Sequence, residues 1–415
     1  MSYIFNRRIV AVLFLGFSSG LPLALSGGTL QAWLTVEGVD IKTIGLFTLV
    51  GLPYTLKFLW APLVDRFVFP LFGRRRGWIL VFQALLLILI FSMSLVSPAK
   101  APWLLAFLAF SLAFASSSQD IVIDAYRAEV LRDKERGFGA AVSVTGYRVA
   151  MLISGALALI LSGILGWQLT YMIIAGLMVV GMTAAWLGPE PEDPGIAPKT
   201  LQEAVSGPLV EFFSRNGAWA MLSLIVLYKL GDAFAGSLTT TFLIRGVGFS
   251  VVEVGAINKG MGLAATIVGA LFGGALMTRM GLFRSLFLFG ILQAVSNLSF
   301  MVLAMLGKSY PMLVFTIGFE NLAGGMGTAA FVAFLMALCN HNFTATQFAL
   351  LSAMASLGRV FVGPTSGFLV DEFGWLLFFL VTFLAALPGL ILLWKMRVNV
   401  QTLDGGPHLD KAVLS

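Results

Sequence analysis

Charge is scarce in this 415-residue sequence: 11% of its residues are Asp, Glu, Lys or Arg, against 59% hydrophobic. A soluble domain carries about 25% charge, and the mean hydropathy of +0.94 excludes a water-borne surface. Cysteine is scarcer still. Cys339 stands alone, which rules out an intramolecular disulfide and argues against a thiolate metal cluster. The two histidines, His341 in a polar connection and His408 near the end, form no His/Cys/Asp cluster with metal-ligand spacing, so no metal site is read. Long polar stretches are missing too, with one exception at residues 189–219.

What is abundant is apolar sequence, with 36 Phe and 45 Gly. Windows of about 20 apolar residues mark membrane-crossing helices. Twelve are read, at about 9–34, 42–65, 77–97, 101–125, 138–163, 166–188, 217–245, 252–280, 282–306, 310–336, 344–370 and 374–396. The fold class is therefore an all-α polytopic membrane protein. The first run is too long for a signal-peptide core and is read as retained. The polar stretch divides the chain six and six: a first bundle at 1–188, a linker at 189–216, a second bundle at 217–396 and a tail at 397–415. Within the linker, Thr200 and Glu203 have capping-box spacing.

The sign of the few charges gives the orientation. An even number of crossings puts both ends on one side. Segments on that side carry 17 Lys and Arg and those on the other side four, so both termini, linker and tail are read as cytoplasmic. The net charge of +6 follows from this asymmetry and needs no nucleic acid.

The halves resemble each other at an offset of about 210 residues. DRF…GRRR at 65–76 answers to TRMGLFR at 278–284, and GYRVAMLISG at 146–155 answers to GRVFVGPTSG at 358–367. A repeat with matching loop chemistry is the mark of a transporter built from two parallel six-helix halves. These residues resemble the major facilitator superfamily, whose second loop bears G-x-x-x-D-R-x-G-R-R. Asp65, Arg66, Gly73, Arg74 and Arg75 fit it, while Ala61 replaces the first glycine and the loop is longer. Five segments, GFSSGLPLALSGGTLQAWL, FLWAPLVDRF, SQDIVIDAY, LYKLGDAFAGSLTTTFLIRGVGF and FENLAGGMGTAAF, further resemble the AmpG-type muropeptide permeases. That resemblance implies the major facilitator fold and a monomer in the bacterial inner membrane. It also implies proton-driven import of N-acetylglucosaminyl-anhydromuramyl peptides for peptidoglycan recycling, with its link to β-lactamase induction. No cofactor is expected beyond the proton gradient. Two other functions stay open: transport of acetyl-CoA or another anionic conjugate, and, from a different class, a membrane-embedded acyltransferase, which the absence of a His/Cys/Asp cluster disfavours.

Ionisable residues inside membrane helices are functional candidates, though many are structural pairs. In SSSQDIVIDAYRAEV, residues 116–130, Ser116, Gln119, Asp120 and Asp124 recur at spacings of three and four and are read as one polar helical face turned from lipid, with Arg127 beside it. Asp120 with Gln119 is read as taking a proton or a sugar hydroxyl, and Asp124 with Arg127 as part of a gate. Tyr228, Lys229 and Asp232 in the seventh segment and Glu320 and Asn321 in the tenth are substrate or proton candidates. So are Arg148 and Arg359, at matching places in the fifth and eleventh, and Lys57 in the second. The seventh and tenth segments face the cavity by family analogy only. Gln31 could bond a sugar, and Trp33, Tyr54, Tyr126 or Tyr147 could stack on one. Asp65, Arg66, Arg74 and Arg75 are the gate by resemblance. For each glycine and serine, close helix packing is the alternative; for each aromatic, an interfacial anchor.

Overall fold

The computed structural model describes residues 6–61, 73–132, 135–190, 212–215, 217–339 and 344–403, and every regular element among them is helical. Helix is the form expected here, because hydrocarbon offers no partner to a free N–H or C=O. The spans are α1 (Arg7–Val36), α2 (Ile41–Leu56), α3 (Arg75–Ser94), α4 (Pro102–Val130), α5 (Val142–Leu165), α6 (Trp167–Leu187), α7 (Ala218–Gly246), α8 (Val251–Met280), α9 (Leu282–Leu306) and α10 (Tyr310–Leu338). A last continuous span, Leu350–Lys395, breaks at Gly374, whose φ of 76° no helix contains. It is treated as α11 (350–373) and α12 (375–395). Among the described residues, ten spans are long and apolar enough to cross a membrane uncut, and α2 is shorter. Cutting the last span gives eleven crossings; the twelfth expected segment corresponds to α2, which is shorter and whose far end runs into residues outside the description. The linker's capping-box residues also lie outside it.

Helix starts and reversals follow local chemistry. The Asn6 side chain accepts from Ile9 N at 3.0 Å, and Ser250 and Glu253 close a capping box at the start of α8, satisfying donors that a first turn leaves open. Reversals fall on glycine with positive φ, a region that side chains rarely enter. Gly166 (82°) stands between α5 and α6 and Gly374 (76°) between α11 and α12; Gly73 (88°) precedes α3 and Gly281 (78°) precedes α9. Each pair occupies equivalent places in the two halves, so the repeat extends to backbone conformation.

The chain's contacts divide it into two compact units. Unit one is Met1–Val39, Val50–Pro198 and Ser250–Ala256; unit two is Asp40–Leu49, Lys199–Phe249 and Ile257–Ser415. Two short pieces thus cluster outside their own half of the sequence. Within unit two, the first turn of α2 lies on α11: Lys42 Nζ meets Asp371 Oδ2 at 2.8 Å, and Thr48 Oγ1 donates to Val360 O at 3.1 Å.

Backbone meets backbone wherever helices cross tightly. In unit one, a Cβ on Gly16 of α1 would strike the Ser143 carbonyl of α5. In unit two, a Cβ on Gly269 of α8 would strike the Leu322 carbonyl, and one on Gly325 of α10 the Thr266 carbonyl. With no hydrophobic drive between helices in lipid, such contact is what associates them. The unit-two core beside it holds Tyr228, Phe289, Phe331, Phe334 and Leu393, all 8% exposed or less. Gly325→Leu is expected to wedge α8 from α10 and cost at least about 2 kcal/mol, read as a lowered melting temperature in detergent. An unchanged melting temperature would show that the crossing tolerates a side chain.

Candidate functional site

Polar side chains of unit one gather around α4. An open cleft of about 230 Å3 is lined by Gly16 and Ser19 of α1, Asp120, Ile123, Asp124 and Arg127 of α4, and Ser143, Val144 and Tyr147 of α5, with Lys57 beyond the end of α2. The α4 members recur every three or four residues, so one helical face supplies them. Ser19 Oγ donates a short hydrogen bond to Asp120 Oδ1. Arg127 Nη2 pairs with Asp124 Oδ1 at 3.0 Å, and its Nη1 donates to Ser143 Oγ at 3.3 Å. Lys57 has no ion pair among the described residues and faces Asp120 across the cleft. Two acids and two bases around this cleft make a net-neutral surface rich in donors and acceptors, suited to a polar ligand.

Gln119, although adjacent to Asp120, turns away from the cleft. It is fully buried, and its Nε2 reaches the Ser18 carbonyl at 3.5 Å. Successive helix residues point about 100° apart, so a shared stretch of sequence is not a shared face.

A second polar group lies in unit two, where α7 is broken. One helical piece ends at Tyr228 and the next begins at Leu230, with Lys229 at the joint. Lys229 Nζ meets Asp232 Oδ2 at 3.3 Å and donates to Thr328 Oγ1 of α10 at 3.3 Å. Gln293 Nε2 of α9 donates to the same Asp232 oxygen at 3.2 Å. Further along α10, Asn321 Nδ2 donates to Glu320 Oε2 at 2.5 Å, Thr266 Oγ1 of α8 donates to Asn321 Oδ1 at 3.0 Å, and Lys259 of α8 acts on Glu320 electrostatically.

The remaining candidates fall elsewhere. Tyr228 is core: it stacks on Phe331 with centroids 5.4 Å apart and donates to Leu286 O at 2.9 Å. Trp33, 4% exposed, stacks with Trp167 at 5.8 Å and lies 4.9 Å from Tyr171, leaving no face for a sugar. Gln31 is half-buried on the same stretch of α1. Tyr126 is buried and donates to Pro189 O at 2.8 Å, and Tyr147 alone of the proposed stacking rings lines the cleft. Arg148 and Arg359 are exposed and without an ion pair among the described residues.

Of the gate residues, Asp65 and Arg66, with the side chain of Arg74, lie outside the description. Arg75 is buried and tied within unit one. Its Nε donates to Glu129 Oε2 at 2.9 Å and its Nη2 to Oε1 at 2.5 Å, while its backbone N–H donates to Glu190 Oε1 at 3.1 Å. Glu129, Glu190, Thr328 and Gln293 are the partners that sequence reasoning left out of the site. Among the described residues, no group of three or more His, Cys, Asp and Glu could hold a metal ion.

The model of the Major Facilitator Superfamily matches residues 12–308 and again 263–410. The chain belongs to that superfamily. This major facilitator is 57% identical over 398 residues to the anhydromuropeptide permease of Escherichia coli strain K12, across 96% of this chain and 80% of that protein. It is 36% identical over 409 residues to transporter AmpG 4 of Rickettsia felis, across 95% of this chain and 98% of that protein. It falls in the AmpG group of permeases, and its class is transport, not enzymatic turnover. Its fold matches a solved peptide transporter POT in complex with alafosfalin, with TM-score 0.74, 13% identity and 96% of both chains covered. It also matches the nucleoside transporter NupG, with TM-score 0.72, 14% identity, and 94% of this chain and 100% of that chain covered. At such identities the likeness concerns the fold alone.

The Arg75–Glu129 pair is an ion pair taken out of water, and removing one partner strands the other charge. Glu129→Gln is expected to cost about 3 kcal/mol, measured as a lower melting temperature and a smaller monodisperse fraction. Full stability in that variant would mean that Arg75 has another sufficient acceptor.

Proposed function

We propose that this major facilitator imports anhydromuropeptides, N-acetylglucosaminyl-anhydromuramyl peptides, from periplasm to cytoplasm across the bacterial inner membrane. The inward proton gradient drives it, it works as a monomer, and both termini are cytoplasmic. The observation that carries the substrate is the 57% identity to a protein named anhydromuropeptide permease over nearly the whole chain. The residues agree with that chemistry. A muropeptide offers sugar hydroxyls and amides, which need many neutral partners, and peptide carboxylates, which need a cation.

In this reading Asp120 is the proton carrier. It faces an open cleft, so a proton can reach it, and its surroundings are few: the Ser19 hydroxyl, Lys57 and Asp124. Protonating it removes one negative charge from a cleft that otherwise balances. The attraction to Lys57 is then lost, and Ser19 faces a neutral acid. That change in local charge is the kind of event that biases one of two conformations over the other. Lys229 and Asp232 form the second element. A lysine that pairs with an acid three residues on can exchange that acid for a ligand carboxylate, provided that the acid is neutralised or displaced as the ligand arrives. Asp124 with Arg127, and Arg75 with the residues before it, are assigned to the gate, where charge pairs can form in one state and part in the other.

The test is uptake of labelled anhydromuropeptide into vesicles reconstituted with the protein. An inward proton gradient is expected to drive accumulation, and a protonophore to abolish it. Uptake indifferent to the protonophore would remove proton coupling, and absence of uptake by correctly folded protein would remove the substrate. Acetyl-CoA, unlabelled and in excess, is expected not to compete. Asp120→Asn and Asp232→Asn are each expected to abolish gradient-driven uptake while the protein still inserts at normal level. Unchanged uptake in both variants would sink the carrier assignment.

A further inference from the structure

Gln293 lies midway along α9 and is 5% exposed. A primary amide buried there costs free energy unless its groups are bonded. Its Nε2 donates to Asp232 Oδ2 at 3.2 Å, the same oxygen that faces Lys229 Nζ at 3.3 Å. One turn further on, Asn297, 1% exposed, donates to the Gly231 carbonyl at 3.4 Å. Both contacts fall where α7 restarts after its break at Lys229. The opposite flank of that segment is held by α12, since a Cβ on Gly231 would meet Thr382 O at 2.9 Å and Ala386 Cβ at 2.7 Å. The Gln293 Oε1 in turn occupies the space that a side chain at Gly327 of α10 would fill. That contact explains a glycine in the GGMG run of α10.

The first half carries the same device. Gln83, 210 residues earlier and so about one repeat offset away, is fully buried on α3 and donates to Ser18 Oγ of α1 at 2.9 Å. It too rests on a glycine, Gly181 of α6. Ser18 precedes Ser19, the residue that bonds Asp120. Two neutral amides at equivalent places thus support the two segments that carry or contact a candidate acid.

We propose that Gln293 is a positioning residue for the Lys229–Asp232 pair. The two ions stand on one interrupted helix, so their separation is set by whatever holds that interruption in shape. The Gln293 amide fixes the Asp232 carboxylate without cancelling its charge, as a second cation would. Lys229 therefore keeps one salt bridge among the described residues, in a fixed place, and its ammonium is aimed for exchange with a carboxylate of the substrate. The proposal rests on the reading that this pair contacts substrate.

The test compares Gln293→Leu with the unaltered protein in muropeptide uptake, normalised to protein in the vesicles. Gln293→Leu is expected to raise KM about tenfold, in line with losing a hydrogen bond to a charged group, while the maximal rate per molecule changes less than about twofold. A KM unchanged from the unaltered protein, whatever the loss in protein level or rate, would overturn it and leave Gln293 as core filling. If Gln293→Leu does not fold, the exchange variant Asp232→Asn with Gln293→Glu decides, because it rebuilds the amide–carboxylate pair in reverse. Uptake above that of Asp232→Asn alone supports the proposal, and no recovery overturns it. Asp232→Asn serves as the control for the functional reading. If that variant transports normally, the role of the pair falls and this inference falls with it. If it fails while Gln293→Leu transports with an unaltered KM, only the inference about Gln293 falls.

Discussion

Hydrocarbon has no water with which to bond a polar group, and every ionic feature of this protein is arranged around that shortage. Most of the described charges in the membrane helices are answered by a nearby polar group or open on a cleft, while Arg148 and Arg359 are exposed. Asp120 has the Ser19 hydroxyl and the cleft. Asp232 has Lys229 and Gln293; Glu320 has Asn321; Arg75 has Glu129 on two sides. The helix crossings depend on the same constraint indirectly. Glycines such as Gly269 and Gly325 bring backbones close enough for short polar side chains such as Thr266 to reach across to Asn321. A bulkier seam would leave those groups without partners.

The lattice of helices was legible because it depends on composition over long windows. Apolar runs, the single polar interruption, the basic asymmetry and the repeat all survive errors of a few residues. The site was legible only in part, because it depends on which way individual side chains turn. Asp120, Ile123, Asp124 and Arg127 share a face at helical spacing, and the structure puts them in one cleft. Gln119 is read on the same face through its three-residue spacing from Ser116, yet its adjacency to Asp120 turns it about 100° round the helix into the packing against α1. Trp33 carried no sign in the sequence that Trp167 and Tyr171 would cover it, since those rings come from 134 and 138 residues away.

The neutral partners were the hardest to see. A census of charged residues in apolar runs finds Lys229 and Asp232 at once, but it passes over Gln83 and Gln293, which look like tolerated polar residues in the third and ninth segments. The signal that could have found them was present in the repeat. An amide recurring at the same offset as the loop motifs occupies the same place in both halves. A place that is polar in both halves, deep in lipid, must have the same kind of neighbour twice. Ser18 and Asp232, both on the first helix of their half, are those neighbours.

The repeat has nevertheless been used asymmetrically. In the first half the acid stands on α4 and a hydroxyl of α1 reaches to it, leaving room for a cleft beside them. In the second half the acid and its cation stand together on α7, three residues apart, and neutral groups from α9 and α10 close around them. An acid held by a hydroxyl keeps a charge that a proton can remove with little rearrangement. An acid held by a lysine is different, because its protonation frees a cation that needs a new partner at once. An ion pair removed from water roughly breaks even between desolvation and attraction, so replacing one carboxylate by another on the same lysine carries little net cost. Under the proposed function the two arrangements therefore suit two tasks. The first suits taking up a proton, and the second suits trading an internal carboxylate for one that the substrate brings.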